Sequence, residues 1–422
     1  MRILVVGNGA REDALSWRLA QSASCTALFA APGNAGTASR GVNWEIAATD
    51  GKTIVDRALA EKIDLVILGP ESSIAAGVGD RLRDAGVPVF GPNRSGGRLE
   101  SSKTFSKRFM QRHGVPTARA EIVHSLQGAN AELDEWGEHG VVVKADGLAA
   151  GKGVVVCDRV DEARAVLADW YGKNKIPGGG SDVLLEERLE GREVSVFALA
   201  DGRAMVPLAA ACDYKRAGDG DTGPNTGGMG AYSPPEGFPD ELFDAVRERI
   251  LAPVLRGLLA EGEQYIGVLY CGLMWTAEGP MVIEFNARFG DPETQVLMPR
   301  VRGDFAELLK SCADGAMDLS VASLAENHCV GVVLATSDYP RSSTPLEGLN
   351  PDVGLGEGVQ AFWGQSTLEE GRVRSGGGRV LTVSALGDDL AAARTRAYDA
   401  VRALADRIGT RDLTYRTDIA KQ

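Results

Sequence analysis

The first hundred residues constrain the fold more than any other stretch, because they repeat one rhythm of short apolar segment, turn and helical pattern. RILVVG precedes REDALSWRLAQS, TALFAAPG follows, and then come KTIVDRALAEKIDLVILGP and GVGDRLRDAGVPVFGP. Strands apolar on both faces, separated by helical patterns, imply a parallel sheet covered on both sides. A doubly wound α/β domain is expected over residues 1–101. Near Ser101 the pattern changes to a basic helix, SSKTFSKRFMQRHG, and then to strand pairs with Gly-rich turns. Residues 141–156, 183–199 and 265–287 are strand-rich, and ELFDAVRERILAPVLRGLLAEG supplies a helix between the last two. That mixture predicts an antiparallel α+β body over 102–326, with a smaller subdomain over about 118–192. From Asn327 short strands return in CVGVVLAT, VQAFWG and GGRVLTVSALG, and a helix over DDLAAARTRAYDAVRALADRI closes a small C-terminal α+β domain over 327–422.

Charge narrows the partners. The formal net charge of −13 argues against a surface for nucleic acid, since phosphate-backbone affinity needs clustered Lys and Arg. No run of about 18 apolar residues is present, and Met1 to Gly7 enters a strand without a leader pattern, so a cytoplasmic protein with no membrane partner is expected. The six cysteines are far apart with no CxxC, and the four histidines never reach metal-ligand spacing. Reduced, mostly buried thiols are expected.

GNGARE, residues 7–12, follows a strand and opens a helix, the setting in which backbone N–H groups hold an anion. A dinucleotide site would also want an acidic residue closing the second strand. That strand ends in Ala30, Ala31 and Pro32, so a dehydrogenase reading loses support and a phosphate-bearing substrate is preferred over a purely structural turn. PGNAGT, residues 32–37, and GPESS, residues 69–73, follow the next strands, and such loops converge at the carboxyl edge of an open sheet. VVVKADGLAAGKGVVV, residues 141–156, is not a Walker loop: Gly147 is one position too close to Gly151–Lys152, and Gly153 stands where Ser or Thr should hold magnesium. Its small residues and Lys152 can still close over a triphosphate, with Lys144 on the adjoining strand to neutralise charge. VLLEERLEGREVSV places Glu186, Glu187 and Glu193 beside an apolar edge that suits a base and a ribose. DYKRAGDGDTGPNTGGMGAYSP, residues 213–234, is too glycine-rich to form a core and reads as a functional loop. In VIEFNARFGDPE, residues 282–293, alternation puts Ile283, Phe285, Ala287 and Phe289 on one face and Glu284, Asn286 and Arg288 on the other. The first face packs and the second binds; GDPE reads equally as a helix cap or as chemistry.

Together GNGARE, PGNAGT, KADGLAAGKG, DTGPNTGGMGAYSP and EFNARFGDPETQ resemble the signatures of the phosphoribosylamine-glycine ligases, also called glycinamide ribonucleotide synthetases, of the ATP-grasp superfamily, in that family's order. The resemblance covers essentially the whole chain. It implies a central ATP-grasp domain and a monomeric enzyme that joins glycine to 5-phosphoribosylamine with ATP and Mg2+ or Mn2+. Lys103 and Lys144 would contact phosphates, with Gly147, Gly151, Lys152 and Gly153 as their cover. Glu186, Glu187 and Leu189 would line the adenine site, and Glu193 would hold the ribose. Glu284 and Asn286 would be metal ligands. Arg288, Lys144 and Asp213 would be catalytic, with Asn225, Gly227 and Gly228 enclosing glycine. Gly9, Arg11, Glu12, Asn34, Gly36, Thr37 and Glu71, on the amino-terminal loops, would hold phosphoribosylamine. Another ATP-grasp ligase or a carboxylase subunit is the rival, and DTGPNTGGMG speaks against it. The chain departs from the family pattern at Asp13 in REDA, where a histidine is usual, at SDYP, residues 337–340, where GGYP is usual, and at Ala420 in RTDIA, where glycine is usual.

Overall fold

The apolar segments of the first hundred residues do form a parallel sheet, ordered Val42–Asn43, Ala27–Pro32, Arg2–Gly7, Leu65–Leu68, Val89–Phe90. This is seen in a computed structural model that describes every residue except 137–139, 149–152, 174, 353, 406, 411 and 422. Each face of the sheet has its own core, as an all-apolar strand requires. Leu4 and Val6 share one with Ile54 and Ala58, and Ile3 and Val5 share the other with Leu15 and Leu19. The Gly-containing loops therefore leave the carboxyl ends of the strands together.

Residues 120–187 hold a second, antiparallel sheet, ordered Ala120–Val123, Val183–Glu187, Val141–Ala145, Val154–Cys157. The helices Leu126–Glu135 and Val160–Gly172 cover it. Val141, Val143, Leu133, Leu167 and Leu185 form a core of their own, as a subdomain with its own sheet requires.

The largest sheet runs Gly279–Asn286, Ile266–Thr276, Arg192–Asp201, Met205–Asp213, Gly230–Ser233, His328–Thr336, Arg379–Gly387, Val359–Trp363 without a break in hydrogen bonding. The strands of the C-terminal domain thus extend the central sheet, with the helix Leu390–Ala405 packed on them. The joining strand is Gly230–Ser233, which is buried at every position and pairs Asp213 to Ala231 on one side and Ala231 to Gly331 on the other. This corrects the expectation that residues 213–234 contribute no core. Its small residues are the reason, since a Cβ at Gly230 would lie 2.7 Å from the Gly331 carbonyl. Ahead of that strand the stretch forms a hairpin of Arg216–Gly218 with Thr222–Asn225, followed by a turn over residues 226–229.

A helix is present over residues 242–260, but Arg247–Leu251 widens to a π turn just before Pro253. Proline has no N–H to continue the regular ladder, which accounts for the local widening. The six cysteines are free. Among the described residues no helix is long and apolar enough to cross a membrane.

Candidate active site

The strand Gly279–Asn286 carries a bulge that changes the expected faces. Gly272 opposes Glu284, yet the next pair is Leu273 with Val282, so Ile283 is the extra residue. Val282 is buried in the core with Phe285, Ala287 and Phe289, whereas Ile283 lines a small cavity with Glu284, Glu193, Ser195 and Lys215. Strict alternation had placed Ile283 in the core; a bulge puts two successive residues against one partner and shifts the phase. The binding face is therefore Ile283, Glu284, Asn286 and Arg288.

On that face Lys215 Nζ lies 2.8 Å from Glu193 and 3.8 Å from Asp213. Burial alone would lower the lysine, but Asp213, Glu193 and Glu284 surround it and hold it well above its ordinary range. Lys215 first, against a smaller effect of burial, keeps Glu193 ionised at lower pH than usual. Asp213, buried, is pushed up by desolvation despite Lys215. Glu293, also buried, is raised to about 7 by desolvation and then by Asp213; it accepts from Tyr270 Oη at 2.8 Å, which in turn accepts from Ser195 Oγ at 2.8 Å. Glu293 thus joins the site rather than serving only as a cap.

Lys144 reaches from the lid strand Val141–Ala145 to the large sheet, donating to the Ile283 carbonyl at 2.9 Å and to Glu186 at 2.6 Å. Lys107 meets the other Glu186 oxygen at 2.9 Å. All three are at most 4% exposed. An ammonium has three donors, so Lys144 keeps one for a ligand. Burial would raise Glu186, but Lys144 and then Lys107 outweigh it and hold its carboxyl below the usual range. The Glu186 side chain is therefore an anchor for two lysines, and only its backbone is available to line a base site. Glu187 points to solvent and Leu189 is half-buried. Lys103, lowered chiefly by burial, donates to the Gly147 carbonyl at 2.8 Å. Asp146 accepts from Thr104 N–H at 3.1 Å and from Ser102 Oγ at 3.2 Å, tying the lid hairpin to the start of the helix Lys103–His113. Gly153 is buried, its carbonyl paired with Ala145 N–H at 2.8 Å. Gly151 and Lys152 lie outside the described residues.

Arg288 lies between carboxylates, 2.8 Å from Glu100 and 3.4 Å from Glu71, with Nη2 3.4 Å from Asn286 Oδ1. Burial would weaken its charge, but Glu100 and Glu71 raise its affinity for the proton. Glu71 is the first residue of the helix Glu71–Ala75, so the third N-terminal loop meets the metal-type strand directly.

The first two loops are stitched rather than open. Gly9 N–H donates to Glu12 at 2.6 Å, and Arg11 pairs with the other Glu12 oxygen and with the Phe289 carbonyl at 3.2 Å. The Gly9 N–H expected to face an anion is thus already taken. Asn34 Nδ2 donates to the carbonyls of Asn8, Gly9 and Trp363, and Thr37 N–H caps back on Asn34 Oδ1 at 3.0 Å. Gly36 is required by close approach, since a Cβ there would fall about 2.0 Å from Asp13. Asp13 pairs with Arg40 and accepts from Trp363 N–H at 2.7 Å. The departure from histidine therefore fastens the N-terminal domain to the C-terminal one.

The glycine turn at Asn225–Gly228 is held from far along the chain. Arg379 Nη1 donates to the Gly227 carbonyl at 2.8 Å, Tyr339 Oη accepts from Gly227 N–H at 2.9 Å, and Arg379 also pairs with Asp291 at 3.2 Å. Gly228, at φ +109°, has the Pro292 ring where a Cβ would sit. Sequence reasoning missed Lys107, Glu100, Lys215, Glu293, Arg379 and Tyr339 as site-builders. Lys215 stood inside the noted loop, but Arg379, 152 positions beyond Gly227, offered no local signal.

Glu284 and Asn286 suit a hard divalent cation. Both are half-buried oxygen donors two positions apart on one face. A hard divalent ion of this kind takes one or two protein oxygens and completes its shell from phosphates and water.

The chain matches the models for the phosphoribosylglycinamide synthetase N domain over residues 1–100, the ATP-grasp (A) domain over 101–294 and the C domain over 329–422. It belongs to the phosphoribosylglycinamide synthetase family. The phosphoribosylamine–glycine ligase of Escherichia coli O6:H1 is 44% identical over 404 residues, 94% of each chain. That of Allochromatium vinosum is 44% identical over 425 residues, 99% of this chain and 98% of that one. The crystal structure of phosphoribosylamine–glycine ligase from Thermotoga maritima superposes with a TM-score of 0.85 at 32% identity, covering 99% of this chain and all of that one. The biotin carboxylase domain of Hydrogenobacter thermophilus 2-oxoglutarate carboxylase gives 0.70 at 15% identity over 98% of this chain and 91% of that one, a likeness of fold alone. Membership in the phosphoribosylglycinamide synthetase family accounts for the three-domain architecture and for an ATP-grasp lid above the large sheet.

Proposed function

We propose that this chain joins glycine to 5-phosphoribosylamine at the expense of ATP, giving glycinamide ribonucleotide, ADP and phosphate in purine biosynthesis. The observation that carries the reading is the meeting of Lys144 from the lid with the Ile283–Glu284 stretch of the large sheet, beside Lys215 on the adjoining loop, in a chain related to phosphoribosylamine–glycine ligases over nearly its full length. A carboxylate is a poor electrophile and must first lose an oxygen as a good leaving group. ATP phosphorylates the glycine carboxylate to glycyl phosphate, and the amine of phosphoribosylamine then displaces phosphate. Positioned cations serve the moving phosphoryl group, so no covalent protein nucleophile is needed.

Lys103 and Lys144 contact the phosphates under the loop Gly147–Gly153, and Glu193 takes the ribose. The backbone at Glu186, with Glu187 and Leu189, borders the adenine. Glu284 and Asn286 would hold Mg2+ or Mn2+, whose charge screens the phosphate oxygens when bound. Arg288 and Asp213 face the carboxyl and amine ends of the reacting pair. The turn Asn225–Gly228 closes on glycine. Phosphoribosylamine lies against the N-terminal loops, where Glu12, Asn34, Gly36 and Thr37 set the loop shape and Gly9, Arg11 and Glu71 form its border. Excluding water protects the acyl phosphate, which is the work of the lid. The small molecules named here are the partners, and the cytoplasm is the compartment.

The test is to supply ATP, magnesium, glycine and phosphoribosylamine generated in place, and to measure ADP and the amide. One ADP per amide is expected, with no ADP without glycine. Steady ADP formation without glycine, or no amide, overturns the reading.

A further inference from the structure

Residues 416–420 grip the loop that carries Lys215. Arg416 is 1% exposed, a burial that a charged side chain tolerates only when fully paired. Its guanidinium forks onto Asp418 at 2.7 and 2.6 Å, reaches Asp221 at 2.7 Å and the Arg216 carbonyl at 3.2 Å, and stands 4.8 Å over the Tyr214 ring. Asp418 also accepts from Gly220 N–H at 2.8 Å, Asp219 accepts from Thr417 N–H at 2.8 Å, and Ala420 N–H donates to Tyr214 Oη at 2.9 Å. The tail itself is held to the helix Leu390–Ala405. Tyr398 Oη bridges the Arg416 carbonyl and Ile419 N–H, and Arg394 donates to the Ile419 and Thr417 carbonyls. Tyr214 also borders a cavity of about 270 Å³ lined by Tyr232, Leu390, Ala420 and Lys421 among others, so packing alone does not confine that ring.

Two of the residues the tail holds, Tyr214 and Arg216, flank Lys215. Lys215 places its ammonium among Glu193 and Asp213, and its carbonyl receives Thr226 N–H at 2.7 Å and Thr226 Oγ1 at 2.9 Å. Thr226 Oγ1 in turn accepts from Gly228 N–H at 3.0 Å. Hydrogen bonds from the C-terminal helix through the tail reach Tyr214 and Arg216, and from the Lys215 carbonyl between them they run on through Thr226 to the turn at Gly228. We propose that the segment Arg416–Ala420 is a strut that positions Lys215 and the Asn225–Gly228 turn for coupled amide formation, with Arg416 as its central positioning residue. This rests on the proposed function only in the role of that turn as the cover over glycyl phosphate. If the strut loosens, water reaches the intermediate and cleaves its acyl–oxygen bond, returning glycine and inorganic phosphate while ADP accumulates.

The readout is the ratio of ADP to amide, which a loss of folded protein cannot change. Arg416→Met is expected to raise it from about one to about three or more, with glycine KM up about tenfold, and Arg416→Lys, which cannot fork, to fall between. Asp219→Ala, at the exposed Thr417 contact, tests the same strut with little risk to folding and is expected to raise the ratio less. Folded variants that keep one ADP per amide and a glycine KM within about twofold of wild type overturn the proposal; if Arg416→Met does not fold, Asp219→Ala and Arg416→Lys decide it. Wild-type protein that makes no amide would instead overturn the functional reading. Hydrogen exchange at Lys215–Gly228 then judges the strut: faster exchange in the variants supports it and unchanged protection refutes it.

Discussion

Glu186→Gln separates two roles that sequence alone had merged, because the carboxylate holds Lys144 and Lys107 at 2.6 and 2.9 Å in a site at most 4% exposed. At an effective dielectric of about 20, unit charges about 3 Å apart attract by roughly 5 kcal/mol, offset in large part by desolvation. The amide keeps the shape and one acceptor but leaves two buried ammonium groups without a counter-charge. The expected loss is about 3–5 kcal/mol, a fall in melting temperature of roughly 10 °C for a unit of about 200 residues. Removing Lys107 as well, in Lys107→Met/Glu186→Gln, restores the net charge and is expected to recover about 2 kcal/mol as a coupling energy. Nucleotide binding should move the other way. Phosphates supply the missing negative charge, so ADP with magnesium should stabilise Glu186→Gln more than wild type in the same thermal melt. A tenfold loss of nucleotide affinity with unchanged melting would refute the reasoning and return the side chain to a direct role at the base. The sign with pH agrees: Glu186 is held below its ordinary value, so its contribution is present above the usual carboxylate range and is lost on acidification.

Ala420 has φ +56° where the family usually has glycine, a conformation costing an L-residue about 1–2 kcal/mol. After the greater unfolded-state entropy of glycine, Ala420→Gly should gain about 0.5–1 kcal/mol in a denaturant titration, and a loss would show that the methyl packs usefully. Glu284→Ala should lower kcat by about 10²–10³ with little change in the melt, and calorimetry should show weaker metal-dependent nucleotide binding; activity unchanged across a magnesium titration would remove Glu284 as a ligand. Asp13, buried, is raised to about 6 by desolvation, against Arg40 and the Trp363 N–H. Its contribution favours the fold fully below its unfolded pKa and is lost as pH rises through about 6. Relative to Asp13→Asn, which keeps an acceptor for Trp363, wild type should lose about 1.4 kcal/mol between about pH 5 and pH 8; parallel curves for the two proteins would contradict this.

Much of the fold was legible because its signals are local. The parallel sheet at 2–90 follows from strands apolar on both faces, which must be covered on both sides, and the lid strands from runs such as Val141–Ala145. The metal-type pair Glu284 and Asn286 could be read from alternation, since both lie beyond the bulge. Ile283 could not, because a bulge depends on which residue the partner strand offers, and Gly272 is set by the register of Ile266–Thr276. Nor could the buried strand Gly230–Ser233, whose glycine and alanine content looks like a loop until Gly331 is laid against it.

The sequence by itself determined most of the elements, the order of the three domains and the residue types gathered at the candidate site, because side-chain periodicity and glycine spacing act over a few residues. Only the tertiary structure decided how those residues are occupied. Glu186 serves Lys107 and Lys144, and Arg288 is clamped by Glu71 and Glu100. Hydrogen bonds act only at about 3 Å and a close ion pair is strongest at contact, so the partner of a buried charge is set by which distant segments the cores bring together, and no spacing along the chain encodes that choice.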